Sequence, residues 1–162
     1  MDLKTDLSLT AAATIVDTAL AKGREAGLLP LTVVVLDAGG HPVAMKREDG
    51  SGILRFEIAC GKAWGALGMG MSSRAIRDRL KDRPTFQAAL AAASGGRFVP
   101  VPGGVLVRDG DGATIGAVGI SGDASEKDEY CAIEGIRAAG LAADPAEPDP
   151  DWAKAGLGPA DR

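Results

Sequence analysis

Lys62 sits in a segment, Ile53 to Met69, that is otherwise largely apolar and rich in glycine. From a partly desolvated position there its ammonium can meet a carboxylate or propionate; alternatively the side chain snorkels to solvent or pairs with Glu57. Asp128 is the second candidate, able to pair with Lys62 across the domain or to serve as a general base. Glu129 follows it directly. Neighbouring helical residues point about 100° apart, so the two carboxylates cannot share one pocket, and dipole complementation with solvation is the plainer role for Glu129. Gly119-Ile120-Ser121-Gly122-Asp123 joins a strand to a helix. Backbone N–H groups at that helix start can hold an anion, with Ser121 adding a hydroxyl. The segment also reads as an ordinary tight turn in which Asp123 or Ser125 caps the helix, and its acidic first turn weighs against a strongly anionic ligand. His41 is the sole histidine, so any Ser–His–Asp triad has to use it. It lies beside Pro42 in a loop, where it acts in acid–base chemistry or is a plain exposed polar residue.

Other chemistries find less support. A zinc site needs several His or Cys ligands, and the chain offers one histidine and two distant cysteines. Cys60 and Cys131 form no CxxC and read as two buried free thiols in a reducing cytosol. Met69 and Met71 are soft enough to ligate a metal but fit core or interface packing better. No strand is followed by GxxxxGK[ST], so nucleoside triphosphate chemistry is unsupported. Arg74, Arg77, Arg79, Lys81 and Arg83 form a basic run broken by Asp78 and Asp82; a solvated helix face laced with ion pairs explains it better than an acidic partner does.

The elements that must position these residues follow from periodicity. Ser8 to Ala26 is an amphipathic helix, with Ala12, Ile15, Val16, Ala19 and Leu20 on one stripe and Gly27 as its stop. Leu31 to Leu36 is a strand buried on both faces. It turns through Asp37-Ala38-Gly39-Gly40 into a second strand, Val43 to Arg47. Ile53 to Met69 is a helix whose Gly61, Gly65 and Gly68 each cost roughly 1 kcal/mol against alanine, which implies close packing on another backbone. A charged helix from Ser72 or Ser73 to Lys81 is interrupted at Pro84, and a shorter one runs from Thr85 to Ala93. Gly104 to Arg108 and Ala113 to Ser121 flank the turn Asp109-Gly110-Asp111-Gly112. The last helix, about Ser125 to Ala139, carries Cys131, Ile133 and Ile136 inward. From Ala143 the chain becomes rich in Asp, Pro and Ala and reads as an extended tail, with Trp152 its only aromatic residue. The division expected is one domain, 1–142, and a tail, 143–162. Two hairpins separated by helices favour an antiparallel sheet with helices packed on it, an α+β arrangement.

Bulk properties exclude several partners. The net charge of −4 and isoelectric point near 5.0 argue against a nucleic acid. No apolar run approaches the ~20 residues that span a bilayer, so no membrane partner is expected. The opening Met1-Asp2-Leu3-Lys4-Thr5-Asp6 lacks the features of a secretory signal. A cytoplasmic protein is the expectation. Aromatic residues make up only 4%, so Val, Ile, Leu and Ala must build the core.

Five motifs in order carry a family resemblance: Val34-Val35-Leu36-Asp37-Ala38-Gly39-Gly40, then Ala59-Cys60-Gly61-Lys62-Ala63, then Pro100-Val101-Pro102-Gly103-Gly104, then Gly116-Ala117-Val118-Gly119-Ile120-Ser121-Gly122, and Asp128-Glu129. From about Leu7 to Leu141 the chain resembles the GlcG/HbpS family, which includes the C-terminal domain of PduO-type proteins. The resemblance implies a profilin-like or PAS-like antiparallel sheet of about five strands with helices packed on it, and homo-oligomers. It also implies heme or corrinoid-related ligands in some members, His41 then being a candidate axial ligand. Heme-binding members are expected to use a residue on the first helix, where this chain offers Thr14, Asp17 and Thr18. Leu106 departs from the proline often found after the paired glycines, which bears on the pocket wall.

The leading expectation is a homo-oligomeric small-molecule-binding protein, heme or another tetrapyrrole being the named ligand, held between the loops at Gly103-Gly104 and Ser121-Gly122 and the helix bearing Lys62. A second reading is a cofactor-free isomerase, tautomerase or hydratase of a small oxo- or hydroxy-acid, with Lys62 holding the carboxylate and Asp128 or His41 moving the proton. A third is a structural or regulatory oligomeric subunit.

Overall fold

The computed structural model describes residues 4–158; Met1, Asp2, Leu3 and the residues from Pro159 onward lie outside the described part. The elements are α1 (Leu9–Glu25), β1 (Thr32–Asp37), β2 (Pro42–Arg47), α2 (Leu54–Met69), α3 (Ser73–Leu80), α4 (Pro84–Ala93), β3 (Gly104–Arg108), β4 (Thr114–Ser121), α5 (Ser125–Ala138) and β5 (Ala142–Asp144), followed by a short 3-10 turn at Trp152–Lys154. The strands form one antiparallel sheet in the order β2-β1-β4-β3-β5.

Both faces of the sheet are covered, which explains the unbroken apolar run of β1. Side chains alternate along a strand. Val33, Val35, Val105, Val107, Val118 and Ile120 therefore join α1 and α5 in one core, while Val34, Leu36, Leu106 and Ala117 meet α2 on the other face. Leu106 is thus core beneath α2 and not part of a pocket wall.

Close backbone approach does occur at α2, but the strands' glycines create it. A Cβ on Gly119 of β4 would collide with the Ala59 carbonyl oxygen, and one on Gly104 of β3 with the Lys62 carbonyl oxygen. The helix glycines receive side chains instead. A Cβ on Gly61 would lie 2.5 Å from Val99 Cγ2, and one on Gly65 3.2 Å from the Phe98 ring. Gly68 has no tight neighbour, its nearest being Trp64 at 3.9 Å. Pro84 does not break a helix; it occupies the first turn of α4, where its missing N–H costs nothing.

The segment after α5 is ordered where an extended tail was expected. β5 pairs with β3, Leu106 opposite Asp144, and Arg108 Nη2 donates to Asp144 Oδ2 at 2.5 Å. The chain then runs back along α5. Arg137 Nη2 donates to the Ala146 carbonyl at 2.6 Å, and Trp152 stacks on Tyr130 with centroids 3.8 Å apart. Trp152 therefore docks on its own domain. Composition hid this, because apart from the Trp152 stack the ties are strand pairing and arginine contacts. Among the described residues no helix is long and apolar enough to cross a membrane.

Candidate functional site

A glycine-permitted approach of β3 and β4 to α2 sets the centre of the site. Lys62, 2% exposed, runs inward from α2, and its Nζ donates to the Ile120 carbonyl at 2.9 Å and to Asp128 Oδ2 at 2.8 Å. The ammonium thereby ties α2 to the end of β4 and the first turns of α5. Gly103 has φ 109°, and a Cβ on it would stand 2.9 Å from Lys62 Nζ and 3.1 Å from Asp128 Cβ. Gly103 and Gly104 thus make room for the buried pair. Gly122 has a similar packing task against the Pro30 carbonyl oxygen and Leu31.

Asp128 Oδ1 accepts the Asp123 N–H at 3.2 Å. Burial pushes its carboxyl up to about 6, against the pull of the Lys62 ammonium. Glu129, one residue on, faces α3 instead, as the helical angle requires. It is fully buried, neither carboxylate oxygen has a hydrogen-bond partner among the described residues, and its nearest cation is Arg74 Nε at 3.4 Å. Burial raises its carboxyl to about 7, with Arg74 opposing. The solvated role read from the sequence for Glu129 is thereby corrected: it is buried, with Arg74 of α3 against it.

Beside the Lys62–Asp128 pair opens a cleft of about 500 Å³ between α2, α5 and the 99–102 segment. Its polar lining includes the cations Arg55, Lys62 and Arg77, the Ser121 hydroxyl and the carboxylates of Asp123, Glu126 and Asp128. Ile58, Val99, Val101, Pro102 and Leu157 supply the apolar part. Arg55 Nη1 donates to Ser121 Oγ at 3.3 Å, and among the described residues no carboxylate forms an ion pair with Arg55. Arg77, by contrast, is engaged by Glu126 at 3.1 Å and Asp78 at 2.9 Å. Sequence reasoning missed both arginines as cleft residues. The signal for Arg55 was present: it precedes Lys62 by seven positions, two helical turns along the same face. Arg77 was hidden inside a basic run that otherwise behaves as a paired surface.

Asp123 does not cap α5 as the sequence suggested; the N-cap position is Ala124, and no side chain caps the helix. Asp123 instead accepts the Leu29 N–H at 2.9 Å and the Ala124 N–H at 2.7 Å. Although burial raises its carboxyl, those N–H donors and Lys127 outweigh it and leave the group below its usual range.

His41 stands apart. β1 runs from Thr32, opposite Ser121, to Asp37, opposite Gly116. At ~3.4 Å per residue the hairpin loop is roughly 17 Å from Ser121. There the His41 side chain is 79% exposed, with Nδ1 3.3 Å from Asp37 Oδ1. It cannot share chemistry with Asp128 in this chain. Cys131 is buried, whereas Cys60 is only half-buried. Cys60 lines a separate groove of about 400 Å³ with Phe56, Trp64 and Arg97. Arg97 lies over the Trp64 ring there, 4.3 Å from its centroid.

The profile of the family described as haem degrading protein HbpS-like matches residues 7–137. The chain belongs to the HbpS-like family. Among solved structures, the heme complex of PduOC is 26% identical, with a TM-score of 0.75 over 83% of this chain and 96% of that one. HbpS is also 26% identical, with a TM-score of 0.71 over 85% and 92% of the two chains. The Klebsiella pneumoniae protein ORFY, at 22% identity and a TM-score of 0.75 over 86% and 94%, shares the fold. No curated protein matches the chain. Family membership agrees with the antiparallel five-stranded α+β architecture expected from the motifs.

Proposed function

We propose that this HbpS-like chain binds a carboxylate-bearing small molecule in the cleft beside Lys62 and Asp128, a tetrapyrrole such as heme being the candidate to which its relatives point. The observation that carries the reading is Arg55. It is a half-buried guanidinium on the cleft wall whose hydrogen bond goes to a neutral hydroxyl. Guanidinium groups match carboxylates bidentately, and Arg55 has that capacity in hand.

The cleft fits the carboxylates of a tetrapyrrole and not its iron. Arg55 and Ser121 take an acid group, and Ile58, Val99, Val101 and Pro102 take an apolar edge. Among the described residues the lining contains no His, Cys, Met or Tyr, the side chains that commonly hold heme iron. The first helix adds none: Asp17 is paired with Lys46, and the Thr14 hydroxyl donates to the Thr10 carbonyl at 3.0 Å. Recognition in this cleft is therefore recognition of the acid groups. Lys62 acts indirectly, by fixing Asp128 and the end of β4. Homo-oligomerisation belongs to the same proposal, supported by Ile53 and Leu54, which stand 82% and 64% exposed at the start of α2.

Fluorescence titration with metal-free protoporphyrin and with hemin tests this reading. The two should bind with similar affinity. Arg55→Ala should weaken both about tenfold, the loss of one charge-assisted hydrogen bond. Unchanged affinity in that variant would remove the cleft from the binding site.

A further inference from the structure

We propose that the cleft moves protons as well as binding acids: Asp128 acts as the base in a cofactor-independent tautomerisation of a small 2-oxo acid held by Arg55. The inference rests on the carboxylate-binding reading of the cleft and goes beyond it to a reaction.

Three features converge on it. First, Asp128 lines the cleft although its side chain is only 1% exposed, so the carboxylate is a desolvated group at the wall of a space a substrate can enter. Desolvation keeps such a carboxylate basic. Second, its hydrogen bonds are incomplete. Lys62 Nζ uses Oδ2 and the Asp123 N–H uses Oδ1, whereas a carboxylate offers about four acceptor sites. Among the described residues two acceptor sites therefore remain. Third, the cations around it differ in use. Lys62 is engaged by Asp128 and the Ile120 carbonyl. Arg55 is close enough to favour the charged form of Asp128, yet among the described residues it has no acidic partner. A buried ion pair stabilises a fold no better than packed apolar residues of equal volume, so Lys62 and Asp128 at a cleft wall suit a chemical role.

The step balances without a co-reactant. The C3–H bond of the 2-oxo acid breaks and its proton passes to a free site on Asp128. The electron pair forms a C2–C3 double bond, and the C2 oxygen becomes an enolate beside the Arg55 guanidinium and the Ser121 hydroxyl. Return of the proton to that oxygen gives the enol; return to C3 regenerates the acid, and no atom or electron is gained or lost. A carboxyl that titrates near 6 is matched to this traffic at neutral pH. The charged groups facing Asp128 or lining the cleft around it are Lys62 and Arg55 from α2, Arg77 from α3, and Asp123 and Glu126 at the start of α5.

The experiment is proton NMR of 2-oxobutyrate in deuterated buffer with the full chain, following loss of the C3 methylene signal. Binding of the same acid is measured alongside by fluorescence. The wild-type protein should exchange these protons on the order of a hundredfold faster than buffer. Asp128→Asn should bind 2-oxobutyrate and lose the exchange, and Arg55→Ala should lose binding. Wild-type protein that binds the acid without accelerating exchange overturns the proton step and leaves the binding reading intact. Absence of 2-oxobutyrate binding overturns the 2-oxo-acid class, while the porphyrin titration judges the binding reading separately. Full exchange in Asp128→Asn excludes Asp128 as the base. If that variant fails to fold, the wild-type pH profile decides: exchange falling as Asp128 protonates below about pH 6 supports the assignment, and a flat profile from pH 5 to 7 overturns it.

Discussion

Replacing Glu129 by glutamine should stabilise the protein at neutral and alkaline pH and do nothing in acid. In the fold Glu129 is fully buried with neither oxygen hydrogen-bonded among the described residues, and its carboxyl is raised from 4.5 to about 7. The native state thus holds a proton that the unfolded chain releases, so stability falls as pH rises from about 4.5 to about 7. Above that window the loss is complete. A shift of about 2.5 units corresponds to about 3 kcal/mol, with the Arg74 attraction already counted in the raised value. Glutamine is close in shape to protonated glutamate and cannot ionise, so Glu129→Gln should equal the wild type near pH 4 and exceed it by about 3 kcal/mol above pH 7. For a chain of this size that is about 6–12 °C in Tm. Urea unfolding of both proteins across pH 4 to 8 measures the gap directly. A variant less stable than wild type at pH 8, or a gap that does not change with pH, would refute the reasoning and show that Arg74 carries the charge unaided.

Lys62→Met should destabilise the fold by about 3–5 kcal/mol, because Asp128 is left buried without its cation. Adding Asp128→Leu should restore part of that loss, and a double-mutant cycle in urea reads the coupling. Trp152→Ala removes the stack on Tyr130, worth about 0.5–1.5 kcal/mol beyond area. Limited proteolysis should then cut between Asp144 and Trp152 faster while global unfolding changes less. Gly119→Ala sets a methyl against the Ala59 carbonyl oxygen and should lower Tm sharply, whereas Gly68→Ala, with nothing closer than 3.9 Å, should be tolerated.

The frame was legible because its periodicities are simple. The continuous β1 run, the two hairpin turns and the α1 stripe each dictate one element, and the five ordered motifs agree with the family. Lys62 and Asp128 were legible as a pair because an isolated lysine and an acidic helix start invite one. The strap after β5 was not legible, since its docking rests on one ring stack and on arginines donating to backbone carbonyls, which composition does not reveal. The packing task of Gly103 and Gly104 beside the Lys62–Asp128 pair was not legible, because glycine marks close approach without saying to what. His41 was drawn toward the site only because it is the sole histidine, and the strand register places it at the opposite end of β1. Arg55 was overlooked because an arginine near a helix start resembles ordinary surface, although its seven-residue spacing from Lys62 set both on one face.

The central claim is that the Arg55 cleft holds a carboxylate-bearing small molecule, and native mass spectrometry of freshly purified wild-type and Arg55→Ala protein tests it most directly. The account predicts one acidic small molecule per wild-type chain, identified after denaturation, and its absence from the variant. The same molecule retained equally by Arg55→Ala would contradict the account.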